Sequence, residues 1–215
     1  MMGAKVTIVD YGMGNIFSVA RAIEAVGGEP VLATRFAEVR DADRLLLPGV
    51  GAFEPCARNL QESGLADATR SFVETGRPFL GICVGMQLLF DYSLEFGRHE
   101  GLGLLPGYVT PIPASDNHGR RKVPHIGWSR LYRPDTRQSW HGTVLADCES
   151  GENSLYFVHS YNCVPADSAD ILARSDYLRS SICAAVSRDN ITGVQFHPER
   201  SAHVGLRLIE RFLTL

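Results

Sequence analysis

The sequence lacks a strong excess of charge of either sign. Its 215 residues carry 21 Lys and Arg against 24 Asp and Glu, a formal net charge of −3. A basic surface that could neutralise phosphates or bind an anionic membrane is therefore not indicated. We expect neither nucleic acid nor a membrane as a partner.

Long apolar segments are also missing. No run approaches the roughly 18 apolar residues that a membrane helix needs. The first residues lead into an apolar strand at residues 6–9 without a basic segment and a long apolar stretch, so no signal peptide is expected.

Cysteine pairs at metal-binding spacing are absent as well. The sequence has five cysteines, an odd number, and none of them forms a C-x-x-C pair. We therefore expect thiols in a reducing cytoplasm rather than disulfides or a metal site. Gly12-x-Gly14 lacks the third glycine of the dinucleotide fingerprint, with Phe17 in its place, so no cofactor is predicted.

What is present is an alternation of apolar runs and amphipathic segments. Strands are predicted at residues 6–9, 31–33, 45–47, 79–82, 155–158, 171–173, 182–186 and 191–195. Helices are predicted at residues 16–26, 54–63, 65–74 and 201–213, the first capped by Asn15.

Strands that alternate with helices in the first half indicate a parallel sheet with right-handed crossovers. The glycine- and proline-rich residues 95–140 are predicted to form short antiparallel strands and loops. We predict an α/β fold with a mostly parallel central sheet flanked by helices and a smaller antiparallel region in the second half. Because no linker or repeat is evident, residues 1–215 are predicted to form a single domain.

The most informative stretch is residues 78–90. A strand runs into the turn Gly81-Ile82-Cys83-Val84-Gly85, and residues 86–90 are predicted to begin a helix. Glycine on both sides of a cysteine is typical of a nucleophile elbow. Unpaired N–H groups at a helix N-terminus would favour the thiolate of Cys83. The alternative is an ordinary buried cysteine.

A base for this cysteine is found near the C-terminus. His197 and Glu199 are two residues apart, and Pro198 disfavours helix at His197. In extended chain their side chains share a face, so Glu199 could orient His197 and His197 could deprotonate Cys83. A structural histidine is the alternative for His197, and His159 is a rival base without a carboxylate two residues on.

Two backbone N–H groups are candidates for stabilising an oxyanion. One belongs to Val84, the residue after the nucleophile. The other belongs to Val50, in a loop that follows the third strand. Glycines 49 and 51 allow the Gly49–Val50 peptide to rotate, so this donor is expected to need turning inward. A plain β-turn is the alternative for the loop.

Three stretches, residues 48–53, 81–87 and 196–199, resemble those of class I, triad-type glutamine amidotransferases. Four more make the chain similar to the glutaminase subunits of imidazole glycerol phosphate synthase, from histidine biosynthesis: YGMGNI at 11–16, GLGLLPG at 101–107, KVPHIGW at 122–128 and YFVHSY at 156–161. Together they cover nearly the whole chain.

This resemblance implies a glutaminase that forms a thioester at Cys83 and passes ammonia to a (β/α)₈-barrel cyclase subunit in a heterodimer. It implies the following glutamine-binding positions: Gly49, Gln87, Glu95, Ser160 and Tyr161. Positions that match the family's subunit contact are Asn15, Trp128, Tyr156 and Arg200. Core packing is the alternative for the two aromatic residues.

Two departures from the family pattern are evident. Arg200 stands where the family usually has lysine, which puts a specific lysine–carboxylate contact in doubt. Residues 115–122 are longer and more basic than expected, and the Arg120-Arg121-Lys122 cluster is read as a solvated loop, with an anion or partner site as the alternative.

Three other functions stay open from the sequence. They are an autonomous thiol hydrolase, a regulatory protein that binds the cyclase, and another class I amidotransferase subunit such as that of guanylate or anthranilate synthase. The intact triad argues against the second, and residues 122–128 argue against the third. Because the Gly49–Val50 peptide is expected to be mobile, we predict that the free chain is nearly inactive.

Overall fold

The strands and helices follow the apolar periodicity of the sequence. The structure, a computed structural model, describes residues 3–113, 115–116, 119–120, 122–178 and 180–215. The helices are α1 (Ile16–Ala25), α2 (Phe36–Arg40), α3 (Phe53–Glu62), α4 (Leu65–Val73), α5 (Val84–Gln87) and α6 (Ala202–Thr214).

Fifteen strands are defined within these residues. They are β1 (Lys5–Val9), β2 (Glu29–Ala33), β3 (Leu45–Leu47), β4 (Phe79–Ile82), β5 (Phe90–Ser93), β6 (His99–Glu100), β7 (Leu105–Pro111), β8 (Ser115–Asp116), β9 (Gly119–Arg120), β10 (His125–Arg130), β11 (Ser154–His159), β12 (Tyr161–Pro165), β13 (Ile171–Tyr177), β14 (Ser180–Arg188) and β15 (Ile191–Val194).

The central sheet has seven strands in the order β13-β14-β15-β4-β3-β1-β2. The five strands from β15 to β2 are parallel, and β13 and β14 join them by antiparallel pairing. Strands β3, β4 and β15 are buried along their whole length, as expected where helices cover both faces of a parallel sheet. The predicted α/β fold with a mostly parallel sheet is confirmed.

The carboxyl ends of β1, β3, β4 and β15 meet at one edge of this sheet. The Tyr11 turn, the loop at residues 48–51, Cys83 and His197 follow these four strands. Ligands of open α/β sheets bind beyond this edge. Four segments far apart in the sequence are thereby brought to one place.

The second half forms smaller sheets. A four-stranded sheet has the order β12-β7-β5-β6, and β10 pairs with β11 antiparallel. Within the four-stranded sheet, β5 and β7 run parallel, so the region is less uniformly antiparallel than predicted.

One local prediction is wrong, and one short helix was not predicted. The helix expected to begin at residues 86–90 is instead the single turn α5, which begins at Val84, and Phe90 already lies in β5. Phe90 is fully buried, and its pairing with Leu105 in β7 outweighs the helical pattern. Helix α2 was not predicted, because its five residues are too short to show a clear period.

No helix in the described ranges is long and apolar enough to cross a membrane. Arg121 of the basic cluster lies outside the described residues, so the prediction for this cluster stays a prediction. The same holds for residues 115–122 as a whole, because positions 117 and 118 are also outside the described residues.

Candidate active site

Cys83 lies at the turn between β4 and α5 in a strained backbone conformation. Its φ and ψ angles are +56° and −112°, in a region that residues with a side chain rarely occupy. The Cys83 N–H donates to Val194 O at 2.8 Å, which ties the turn to β15. Gly81 is required because a Cβ there would come within 2.7 Å of Gly85 O. This is the geometry of the elbow that the sequence predicted.

His197 and Glu199 are in direct contact. His197 Nδ1 lies 2.8 Å from Glu199 Oε1, and both side chains are almost fully buried. His197 Nε2 is buried without a hydrogen-bond partner among the described residues. A carboxylate on Nδ1 leaves Nε2 as the nitrogen that can exchange a proton at the site.

The environment of His197 favours the imidazolium. Burial lowers its pKa, but the interactions with the Cys83 thiol and with Glu199 outweigh burial and raise the pKa of His197 to about 10. A proton moved from the Cys83 thiol to His197 would therefore be held at neutral pH.

His159, the rival base, is occupied elsewhere. Its Nδ1 lies 2.8 Å from Tyr161 O and its Nε2 lies 3.1 Å from His125 Nδ1. Since Nδ1 must donate to the carbonyl, Nε2 accepts from His125. Burial lowers the pKa of His159 to about 3, so the ring is neutral. It is a structural histidine that holds the chain beside Ser160.

Gln195 was missed by the sequence reasoning. Its side chain is fully buried, with Nε2 donating to Cys83 Sγ at 3.7 Å and Oε1 accepting from Gln87 Nε2 at 3.0 Å. A buried glutamine in an otherwise apolar strand end, two residues before His197, was the available signal. Gln195 links the cysteine to a predicted glutamine-binding position.

The loop at residues 48–51 does not present the Val50 N–H to the site. Instead, Gly49 O accepts from the Val84 N–H at 3.4 Å. Because the carbonyl and N–H of one trans peptide point in opposite directions, the Val50 N–H faces away from Val84. The sequence left this orientation open, and the structure places a carbonyl oxygen beside one candidate oxyanion donor.

A cavity of about 420 Å³ collects most of the predicted residues. Its lining includes Asn15, Val50, Cys83, Val84, Gln87, Glu95, Ser160, Tyr161, His197 and Arg200. Glu199 and Gly49 are not among its lining residues, but Glu199 contacts His197 and Gly49 O accepts from the Val84 N–H. Glu95 has a second contact, because its Oε2 accepts the Phe53 N–H at 2.6 Å and so holds the start of α3.

Three of the four predicted contact residues form a partly exposed layer. Trp128 and Tyr156 are cross-strand neighbours on β10 and β11, with ring centroids 6.1 Å apart. The Arg200 guanidinium lies 4.9 Å from the centre of the Tyr156 ring. Trp128 is 54% exposed, so core packing does not explain it. Asn15 occupies the N-cap of α1 without a side-chain capping bond, contrary to the predicted cap.

Comparison with known proteins agrees with this geometry. The family model described as glutamine amidotransferase class-I matches residues 7–214. The imidazole glycerol phosphate synthase subunit HisH of Syntrophotalea carbinolica is 46% identical over 211 residues, which are 96% of this chain and 98% of that protein. The HisH subunit of Geobacter metallireducens is 44% identical over 214 residues, 97% of each chain.

Solved structures share the fold at lower identity. PurLQS from Thermotoga maritima aligns with a TM-score of 0.71 at 20% identity, over 99% of both chains. A glutamine amidotransferase crystal structure aligns with a TM-score of 0.68 at 18% identity, over 97% of this chain and 99% of that one. The chain therefore belongs to the class-I glutamine amidotransferases and, among them, to the HisH subunits of imidazole glycerol phosphate synthase.

Proposed function

We propose that this chain is the glutaminase subunit of a cytoplasmic imidazole glycerol phosphate synthase, with Cys83, His197 and Glu199 as its catalytic triad. The observation that carries the proposal is the buried His197–Glu199 pair. His197, whose Nε2 has no hydrogen-bond partner among the described residues, lines the same cavity as Cys83. A nucleophile, a base and an orienting carboxylate are the groups that amide hydrolysis by a thiol requires.

The first half of the reaction makes a thioester. The Cys83 thiol gives its proton to His197, and the sulfur attacks the side-chain amide carbon of glutamine. The tetrahedral intermediate collapses when the C–N bond breaks, and His197 Nε2–H gives its proton to the leaving nitrogen. Ammonia and a γ-glutamyl thioester are formed.

The second half returns the enzyme to its starting state. Water attacks the thioester carbon while His197 takes one of its protons. The C–S bond breaks, the sulfur recovers a proton from His197, and glutamate leaves. Gln195, which donates to Cys83 Sγ, would stabilise the negative sulfur in both halves.

The placement of the remaining cavity residues supports a proposed role for each of them. Gln87, Ser160 and Tyr161 line the cavity beside Cys83 and are proposed to hold the glutamine. Glu95 has one carboxylate oxygen free of the Phe53 N–H, and this oxygen is proposed to bind the substrate amino group. Val84 and, after rotation of its peptide, Val50 are proposed as oxyanion donors.

The partner is proposed to cover the face beside the cavity. Ile126 pairs with Val158 and Trp128 pairs with Tyr156 across β10 and β11, and Ile126 and Trp128 are each 54% exposed. Arg200 lies over the Tyr156 ring, and both Asn15 and Arg200 line the cavity. The proposed occupant is the (β/α)₈-barrel cyclase subunit, which would receive the ammonia and form imidazole glycerol phosphate and an aminoimidazole carboxamide ribotide.

The decisive experiment measures glutamate release from glutamine by the chain alone and with the matching cyclase subunit plus its nucleotide ligand. We expect little activity alone, because Gly49 O lies beside the Val84 N–H, and strong activity in the complex. Full activity of the free chain would instead support an autonomous thiol hydrolase. No activity in either mixture would contradict the proposal.

A further inference from the structure

Two buried side chains that the proposed reaction does not use contact the oxyanion loop. The Tyr11 hydroxyl donates to Pro48 O at 2.8 Å, and the Cys56 thiol donates to Val50 O at 3.5 Å. Tyr11 is 5% exposed and Cys56 is fully buried. The two accepting carbonyls stand immediately before and after the Gly49–Val50 peptide.

The peptide between these carbonyls is held less firmly. Its own carbonyl, Gly49 O, accepts a single hydrogen bond from the Val84 N–H, and at 3.4 Å this bond is longer than the usual range. Gly51 has a φ of +97°, a backbone conformation that glycine adopts readily and that residues with a Cβ rarely adopt.

The two donors lie outside the loop. Tyr11 lies in the turn two residues after the end of β1, and Cys56 is the fourth residue of α3. Both groups keep their protons at neutral pH, since burial raises the pKa of Tyr11 well above its usual value and that of Cys56 to about 11. Each side chain is therefore a hydrogen-bond donor under working conditions.

We propose that Tyr11 and Cys56 are positioning residues that fix the carbonyls of Pro48 and Val50, so that activation is confined to rotation of the Gly49–Val50 peptide. This inference rests on the proposed function. Without the two donors, the loop would move as a whole, and the Val50 N–H would be aimed less accurately at the developing oxyanion.

The test compares single-atom and near-isosteric variants. Tyr11→Phe removes only the hydroxyl, Cys56→Ala removes the thiol, and Cys56→Ser restores a donor. Cys183→Ala is the matched control, because this buried thiol also contacts a backbone carbonyl, Ala185 O, but in β14 away from the loop. Glutamate release is measured in the saturated complex, together with thermal unfolding.

We expect Tyr11→Phe and Cys56→Ala to lower kcat by about three- to tenfold, the effect of one lost hydrogen bond, with KM for glutamine changed less than about twofold. Cys56→Ser should recover most of the rate, and Cys183→Ala should keep it. Equal rates in all variants, or losses in Cys183→Ala that match those of Cys56→Ala, would overturn the inference.

A second measurement separates this inference from the proposed function. Hydrogen–deuterium exchange of residues 49–53 is expected to be faster in Tyr11→Phe and Cys56→Ala than in wild type or Cys183→Ala. This readout needs no turnover, so an inactive wild-type complex would refute the glutaminase proposal and leave exchange to decide the positioning role. Unchanged exchange in both loop variants would refute the latter.

Discussion

The two sides of the cavity differ in how complete they are. On one side, His197 and Glu199 are buried and joined at 2.8 Å, and Gln195 already donates to Cys83 Sγ. On the other side, Gly49 O lies beside the Val84 N–H where an oxyanion donor is needed. The groups proposed to move protons are in contact, whereas the Val50 N–H, proposed to stabilise developing charge, is turned away.

This difference reflects where each group is attached: one set follows buried strands, and the other lies in a loop. The proposed triad residues follow β4 and β15, which are central, parallel and buried strands. The loop follows β3 and contains glycines on both sides of Val50, so its peptide can change orientation without breaking the core. A partner could therefore control the rate without disturbing the triad.

The largest expected effect comes from replacing Cys83, on the side of the cavity that holds His197 and Glu199. Cys83→Ala should reduce glutamate release in the complex by about four orders of magnitude or more, because the thiol proposed to form the thioester is removed. Cys163→Ala, a change of another buried thiol, is the control and should keep the activity. Retention of activity in Cys83→Ala would assign the chemistry to another nucleophile.

Glu199→Gln tests whether the orienting carboxylate is needed. We expect kcat to fall by about two to four orders of magnitude, since the amide neither fixes the required tautomer nor stabilises the imidazolium. Steady-state kinetics in the complex measure this change. Glu210→Gln, an exposed change on α6, should be neutral, and equal effects of the two variants would remove Glu199 from the triad.

Trp128→Ala tests whether the exposed face of β10 and β11 binds the partner that is proposed to reorient the Gly49–Val50 peptide. The loss of a half-exposed aromatic anchor should weaken binding of the cyclase subunit by about 1–3 kcal/mol and leave the free chain folded. Titration calorimetry against the partner measures the effect. Tyr132→Ala, an aromatic truncation beyond the end of β10, should bind as wild type does, and unchanged affinity of Trp128→Ala would place the interface elsewhere.

Gln195→Leu tests whether the hydrogen bond from Gln195 increases the reactivity of the Cys83 sulfur. Loss of the amide donor should slow alkylation of Cys83 by iodoacetamide at neutral pH by about tenfold, because the thiolate loses a hydrogen bond. Mass spectrometry of the Cys83 peptide follows the reaction. Gln61→Leu on α3 is the exposed control, and a rate equal to wild type would show that Gln195 supports only Gln87.

The smallest expected effect is on stability. The pKa of His197 is raised to about 10 in the folded chain against 6.5 for a free histidine, so the folded state binds more protons between these values. This contribution is complete below pH 6.5 and is lost as pH rises toward 10. Denaturant unfolding of wild type and His197→Gln should therefore show a stability difference that shrinks over this window, and a constant difference would contradict the raised pKa.

Much of the fold could be predicted because local patterns were clear. The apolar runs that became β1, β3 and β4 and the amphipathic period of α6 were recognisable without tertiary information. The errors lie where tertiary contacts overrode a local pattern. Phe90 lies in β5 and not in the predicted helix, because burial of its side chain and pairing with β7 stabilise the strand more than one further helical turn would stabilise a helix.

The candidate site was predictable to the extent that its residues have signatures. The glycines around Cys83 carry geometric information in the sequence itself. The contact of His197 with Glu199 was predicted from extended chain, but Glu199 lies in a 3₁₀ turn, Pro198–Arg200, that brings its carboxylate to His197 Nδ1. Gln195 and Cys56 have no such signature, because a glutamine near a strand end and a cysteine on a helix are common. Their roles depend on the neighbours that folding brings to them.

The sequence by itself determined the α/β architecture, the elbow at Cys83 and the histidine–carboxylate pair, because each depends on local backbone preference or short spacing. Only the tertiary structure decided which residues meet at the carboxyl edge of the sheet, how Trp128 and Tyr156 form an exposed layer, and which way the Gly49–Val50 peptide faces. The physical reason is that a peptide that begins at a glycine has no strong local preference, so contacts with Tyr11 and Val84 from distant segments, and with Cys56 in the following helix, set its orientation.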